Sequence, residues 1–232
     1  MTITRIAALT LGAACFVSTA IAVPTTSFDA NASEWSSSTI FVPGIIQPIG
    51  GSGQVNGNFT IVADAALPNI QIGLRAIERF SPTPLDNVGP VYTALAGEST
   101  PGLSTWNYDI HIDLRGSGLT FGDFVVSLAT TVPNHTTPDL QAALEFAGSL
   151  PAGTLSGLQL FQTSLNPGFF ASGVDPFATG TQTFDLSLTP RSDLVPAPAY
   201  TASISVVIVP EPATTLLAGL ACVGGVLATR RR

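Results

Sequence analysis

From Thr105 to Arg115 the chain alternates without a break between apolar and polar side chains. Trp106, Tyr108, Ile110, Ile112 and Leu114 fall on one set of positions; Asn107, Asp109, His111, Asp113 and Arg115 fall on the other. Side chains along a strand point to opposite faces in turn, so the pattern predicts a strand with one buried and one wet face. Thr181–Thr189 repeats it with Phe184, Leu186 and Leu188 inward, and Ala199–Val209 with Tyr200, Ala202, Ile204, Val206 and Ile208.

Turn residues punctuate the chain between such runs, at Pro43-Gly44, Gly50–Gly53, Asn87–Pro90, Pro101-Gly102, Gly116–Gly118, Pro151–Gly153 and Pro167-Gly168. Short β-branched and aromatic runs at this spacing predict an all-β antiparallel sandwich or jelly roll in one domain, residues 23–209. Asn69–Phe80 fits a helix through Ile70, Leu74 and Ile77, and a strand through Ile70, Ile72 and Leu74. Gly73 in its middle, with Asn69 and Pro82 bracketing it, favours the strand. Pro138–Ala147 is the one short helix expected, with Thr137 as its cap and Leu140, Leu144 and Ala147 on one face.

Composition narrows the function. Charged residues are 10% of the chain, against about 25% in an average soluble protein. Every basic residue is an arginine, and four of the eight lie in the two ends, so residues 23–209 carry a net charge of about −10. No basic footprint for nucleic acid exists. Cys15 and Cys222 also lie in the ends, which leaves the body without a disulfide, a thiolate metal site or a cysteine nucleophile.

The ends read as addresses. Arg5, the apolar stretch Ile6–Ile21 and the small-residue pair Ala20 and Ala22 form a secretory signal peptide over residues 1–22, cleaved before Val23. Cys15 has Gly12 three positions before it, where lipidation needs a large aliphatic residue. At the other end Val209 is followed by Pro210-Glu211-Pro212, an uncharged run Ala213–Thr229, and Arg230, Arg231 and Arg232. Seventeen helical residues span about 25 Å, the short limit for a bilayer core of about 30 Å. The terminal arginines would hold that end in the cytoplasm.

Pro-Glu-Pro, a short apolar helix and a terminal arginine cluster together resemble the PEP-CTERM sorting signal of Gram-negative bacteria, here residues 210–232 with Val209 before them. The resemblance implies export through the general secretion translocon and transient anchoring in the inner membrane. It also implies processing at the motif by an exosortase, an integral-membrane transpeptidase, then delivery to the cell surface or extracellular matrix. Two prolines keep residues 210–212 out of any helix or ladder, hence extended and accessible. A weaker resemblance, carried by Ile72–Ala76, Trp106–Asp109, Gln162–Asn166, Asp175-Pro176 and Gly180–Leu186, is to an ectodomain found in such proteins without assigned activity.

Reactive inventory in the body is thin. Asp109, His111 and Asp113 share one strand face, with neighbouring Cβ atoms about 6.5–7 Å apart. They are the only metal-ligand or acid–base candidates, and the plainer expectation is the solvent face of an amphipathic strand. His135 sits in a loop composition. A Ser-His-Asp set is possible by inventory, but no Gly-x-Ser-x-Gly elbow is present. Neither a P-loop nor an EF-hand spacing occurs. No cofactor is expected, and the body reads as a non-enzymatic surface, biofilm or exopolysaccharide-associated protein. The alternative is a carbohydrate-binding or adhesive sandwich.

Overall fold

The computed structural model describes residues 24–33, 49–50, 56–64, 70–81, 84–135, 139–147, 152–169, 173–192, 195 and 197–211. The expected signal peptide, residues 1–22, and Pro212 with the run Ala213–Arg232 lie outside them. Among the described residues no helix is long and apolar enough to cross a membrane.

Among the described residues thirteen strands appear in chain order: β1 (Thr25–Ala30), β2 (Ile49–Gly50), β3 (Phe59–Ala63), β4 (Gln71–Glu78), β5 (Asn87–Val88), β6 (Val91–Leu95), β7 (Glu98–Thr100), β8 (Leu103–Ser104), β9 (Trp106–Asp113), β10 (Phe124–Thr130), β11 (Leu160–Leu165), β12 (Gly180–Pro190) and β13 (Tyr200–Val209). One sheet runs β1-β3-β4-β9-β11-β2 and the other β10-β12-β13-β6-β5, with β7-β8 as a separate hairpin. The chain is all-β, and the pairing is antiparallel except at β11-β2 and β13-β6.

The core is built by the period-two pattern. Ile72, Leu74 and Ala76 of β4 and Trp106, Tyr108, Ile110 and Ile112 of β9 come from one sheet; Phe124, Val126, Phe184, Leu186, Leu188, Tyr92, Ile204 and Val206 come from the other. Trp106 meets Phe184 edge-on at 5.8 Å, and Tyr108 lies 4.8 Å from the same ring, which locks the two sheets together. Asn69–Phe80 resolves as the strand, β4. Ala199–Val209 resolves as β13, the middle strand of its sheet, paired with β12 along nine positions and with β6 along five.

Among the described residues one α-helix forms, α1 (Leu140–Ala147), beside a single 3-10 turn at Phe121–Asp123. The first turn of α1 is capped by Asp139, whose Oδ1 accepts the Ala142 backbone N–H at 3.0 Å. The expected Thr137 cap and Pro138 lie outside the described residues.

Candidate functional site

The largest departure from expectation lies on the second face of β9. Asp109 and His111 are 0% exposed and Asp113 is 3% exposed, so the predicted wet face is buried. Asn107 is half-buried, and only Arg115, just past the strand, is exposed. A small apolar cluster of Ala32, Phe59 and Ile61 lies on this outer side of the sheet, where Phe59 is 6.2 Å from the His111 ring. Gly73 permits the approach: a Cβ there would meet Ile61 Cδ1 at 2.5 Å and Phe59 Cδ1 at 3.3 Å.

Burial of polar groups is tolerated only when they find partners, and here strand register supplies them. Arg75 stands directly opposite Asp109. Its Nε donates to Asp109 Oδ2 at 2.8 Å and its Nη1 to the Gly57 carbonyl at 2.8 Å, while its guanidinium carbon sits 4.4 Å above the Phe59 ring. Gly73 and Gln162 stand opposite His111 on either side.

The His111 ring has a defined tautomer. Gln71 Oε1 accepts the Ser33 backbone N–H at 2.6 Å, which fixes that atom as oxygen. His111 Nε2 lies 2.9 Å from the same oxygen and must therefore donate. Nδ1 then accepts from Gln162 Nε2 at 3.1 Å. Burial, the dominant influence, depresses the His111 pKa to about 4; Asp113 opposes that shift and Arg115 adds to it. The ring is neutral across the physiological range.

Asp113 completes the row. It accepts from Ser33 Oγ at 2.5 Å, from Arg115 Nη2 at 2.7 Å, and from both Arg115 Nε and backbone N–H at 3.0 Å. Burial pushes its pKa up, but the Arg115 and Ser33 bonds together outweigh burial and hold it below the ordinary carboxylate value.

Ser33, His111 and Asp113 are thus brought together, with Ser33 Oγ 3.2 Å from His111 Nε2. The wiring differs from that of a hydrolytic triad. There the carboxylate accepts a hydrogen bond from Nδ1–H and Nε2 accepts one from the serine; here Nδ1 accepts from the Gln162 amide, Nε2–H is a donor, and the Ser33 hydroxyl donates to Asp113. Comparison with family models, with curated proteins and with solved structures finds no match for this chain. Among the described residues, no three His, Cys, Asp or Glu side chains gather in an arrangement that would hold a metal ion.

Beyond Asp113 the row opens into a cleft of about 580 Å³ lined by Ser33, Ala63, Asp64, Ile70, Gln71, Asp113, Arg115 and Gly116. Asp64 accepts the Tyr200 hydroxyl at 2.9 Å, a bond from the opposite sheet. Ser33, Asp64, Gln71, Arg75 and Gln162 are the members that sequence reading missed. A signal existed for two of them: if Ile72, Leu74 and Ala76 face the core, then Gln71 and Arg75 share the other face of β4.

A second buried polar centre is Asn166, 0% exposed. Its Nδ2 reaches the Ser104 carbonyl at 3.0 Å, the Trp106 carbonyl at 2.9 Å and Asn107 Oδ1 at 3.0 Å, while its Oδ1 accepts the Ser104 and Gly168 N–H groups, each at 3.1 Å. The segments Ile72–Ala76, Trp106–Asp109 and Gln162–Asn166, singled out in the sequence, meet through these two networks. Their polar residues hold strands together.

At the end of β13 the chain passes directly into Pro210 and Glu211. The Val209 carbonyl accepts the Ala96 N–H at 2.8 Å, and the two residues after it are both exposed. Glu211 Oε1 lies 3.0 Å from the point where a Gly97 Cβ would stand, so the side chain rests against the β6–β7 connection.

Proposed function

We propose that this is an exported surface or matrix protein whose chemistry resides in its address rather than in its body. The signal peptide would carry it through the translocon. The run Ala213–Thr229 with Arg230–Arg232 would hold it briefly in the inner membrane, and an exosortase would process it at Pro210-Glu211-Pro212. The all-β body would then serve a structural role at the surface, in association with exopolysaccharide or biofilm.

The observation that carries this reading is the junction. A central strand runs directly into the motif, and Pro210 and Glu211 project from the end of the sandwich, exposed to a processing enzyme. The body's most reactive-looking residues support it from the other side. Asp109, His111 and Asp113 are engaged in bonds between strands, and a neutral ring with both nitrogens occupied offers neither a base nor a free ligand atom.

The test is genetic. Deleting Arg230–Arg232, replacing Glu211 by alanine, or removing the host's exosortase should each retain the protein in the inner-membrane fraction. Unaltered surface delivery in all three contradicts the proposal.

A glycan-binding role is favoured by one feature, the polar cleft beside Asp64, Asp113 and Arg115. Retention of the protein on native exopolysaccharide, lost in Arg115→Ala, would support it.

A further inference from the structure

Three of the large apolar side chains exposed on this protein gather where the chain leaves the fold. Phe80 is 79% exposed, Phe177 62% and Phe169 49%. Phe80 follows β4, and Phe169 and Phe177 belong to the β11–β12 connection; β4, β11 and β13 all end on this side of the sandwich.

Contacts tie the three positions to the exit. The Arg79 guanidinium carbon sits 4.5 Å from the Phe80 ring centre and 5.8 Å from that of Phe169. The Arg79 backbone N–H donates to the Thr105 carbonyl at 2.8 Å, and Thr105 Cγ2 and Glu211 Oε1 both border Gly97. Gly97 N–H in turn donates to the carbonyl of Pro176, next to Phe177, at 2.8 Å. Phe80 also holds a backbone φ of 61°, a left-handed conformation that bulky residues rarely adopt. Such an outlier, at an almost fully exposed ring, points to a function outside folding.

We infer that Phe80, Phe169 and Phe177 form a lipid-contact rim that beds this end of the body into the headgroup region of the bilayer while the tail is attached. The inference rests on the reading that Ala213–Thr229 crosses the membrane. Only two residues, Pro212 and Glu211, then separate that run from Pro210, so this end of the sandwich must stand at the bilayer surface. Aromatic rings favour the interface, and an arginine between two rings keeps its charge towards the headgroups. Glu98 and Glu211 lie at the same end, so the surface suits zwitterionic lipid better than anionic lipid. Tethering through the tail makes even weak contacts sufficient, because the rim meets the bilayer at high effective concentration.

The chain with its tail intact, reconstituted in phosphatidylcholine vesicles, provides the test. Added tryptophan emission is followed in Phe80→Trp and Phe177→Trp against Thr201→Trp, which marks the far end of β13, and Leu217→Trp, which marks the tail. With brominated phosphatidylcholine, the Phe80→Trp, Phe177→Trp and Leu217→Trp variants should lose most of the added emission and Thr201→Trp should keep it. Quenching of the tail probe alone overturns the lipid rim and leaves the tail reading intact. An unquenched tail probe overturns both. Rim probes unaffected by lipid but shielded when exosortase is added would also overturn the inference, since the rim would then be a protein contact.

Discussion

Arg75 Nε and Asp109 Oδ2 meet at 2.8 Å on adjacent strands with neither side chain exposed to solvent. An ion pair so buried is held by geometry and by further bonds, not by net Coulombic gain, because desolvating both charges costs about as much as their attraction returns. Removing one partner strands the other. Asp109→Ala should therefore destabilise the fold by about 3–5 kcal/mol in urea unfolding. Arg75→Met combined with Asp109→Leu should recover most of that loss. A double variant as weak as the single one would mean that the pair itself stabilises the fold.

Acid sensitivity should be set first by His111. Its folded pKa, near 4, lies below the unfolded value of about 6.5, so the unfolded chain binds the extra proton. The stability that neutral His111 contributes is complete above pH 6.5 and is lost as pH falls from 6.5 to 4. The loss is on the order of 3 kcal/mol. Burial also lowers the His135 pKa, with the same sign. Asp113, whose pKa is depressed, adds its loss only below the unfolded carboxylate value, about 3.9. Unfolding free energies measured between pH 7 and 4 should fall in the parent and fall much less in His111→Gln. Equal slopes in the two proteins would refute the neutral, buried state of the His111 ring.

Gly73 should resist even the smallest side chain. The outer cluster closes over β4 at this point, and a methyl group would force Ile61 and Phe59 away from the sheet. Gly73→Ala is expected to cost about 1–3 kcal/mol by overpacking. Combining it with Ile61→Val should return part of the loss in the same unfolding assay.

Strand β13 should be indispensable. Ending the chain at Val209 keeps every ladder of its sheet and should give a soluble, cooperatively unfolding protein. Ending it before Tyr200 removes the strand between β12 and β6, along with Tyr200, Ile204 and Val206 from the core. That truncation is expected to lose the cooperative transition in circular dichroism. A folded product would show that the final strand is a dispensable linker.

The inward half of this fold was legible because it is periodic. Trp106 to Leu114, Phe184 to Leu188 and Tyr200 to Ile208 each announce a strand and its buried face. The outward half was not. Alternation says that Asp109, His111 and Asp113 share a face, but water or protein over that face depends on segments far away in the chain. Ser33 lies 78 positions from His111, and Gln162 lies 51 from it. Charge alone misleads here, since a polar row paired across strands looks in sequence like a solvated one. The Arg75–Asp109 register could be written only once β4 and β9 were known neighbours.

The central claim is that the tail is an address removed after export, and intact-mass spectrometry of the protein recovered from the cell surface tests it most directly. The account predicts a chain beginning at Val23 and ending within Val209–Pro212, with any added anchor as a fixed mass increment. A surface protein whose mass still includes Ala213–Arg232 would contradict it.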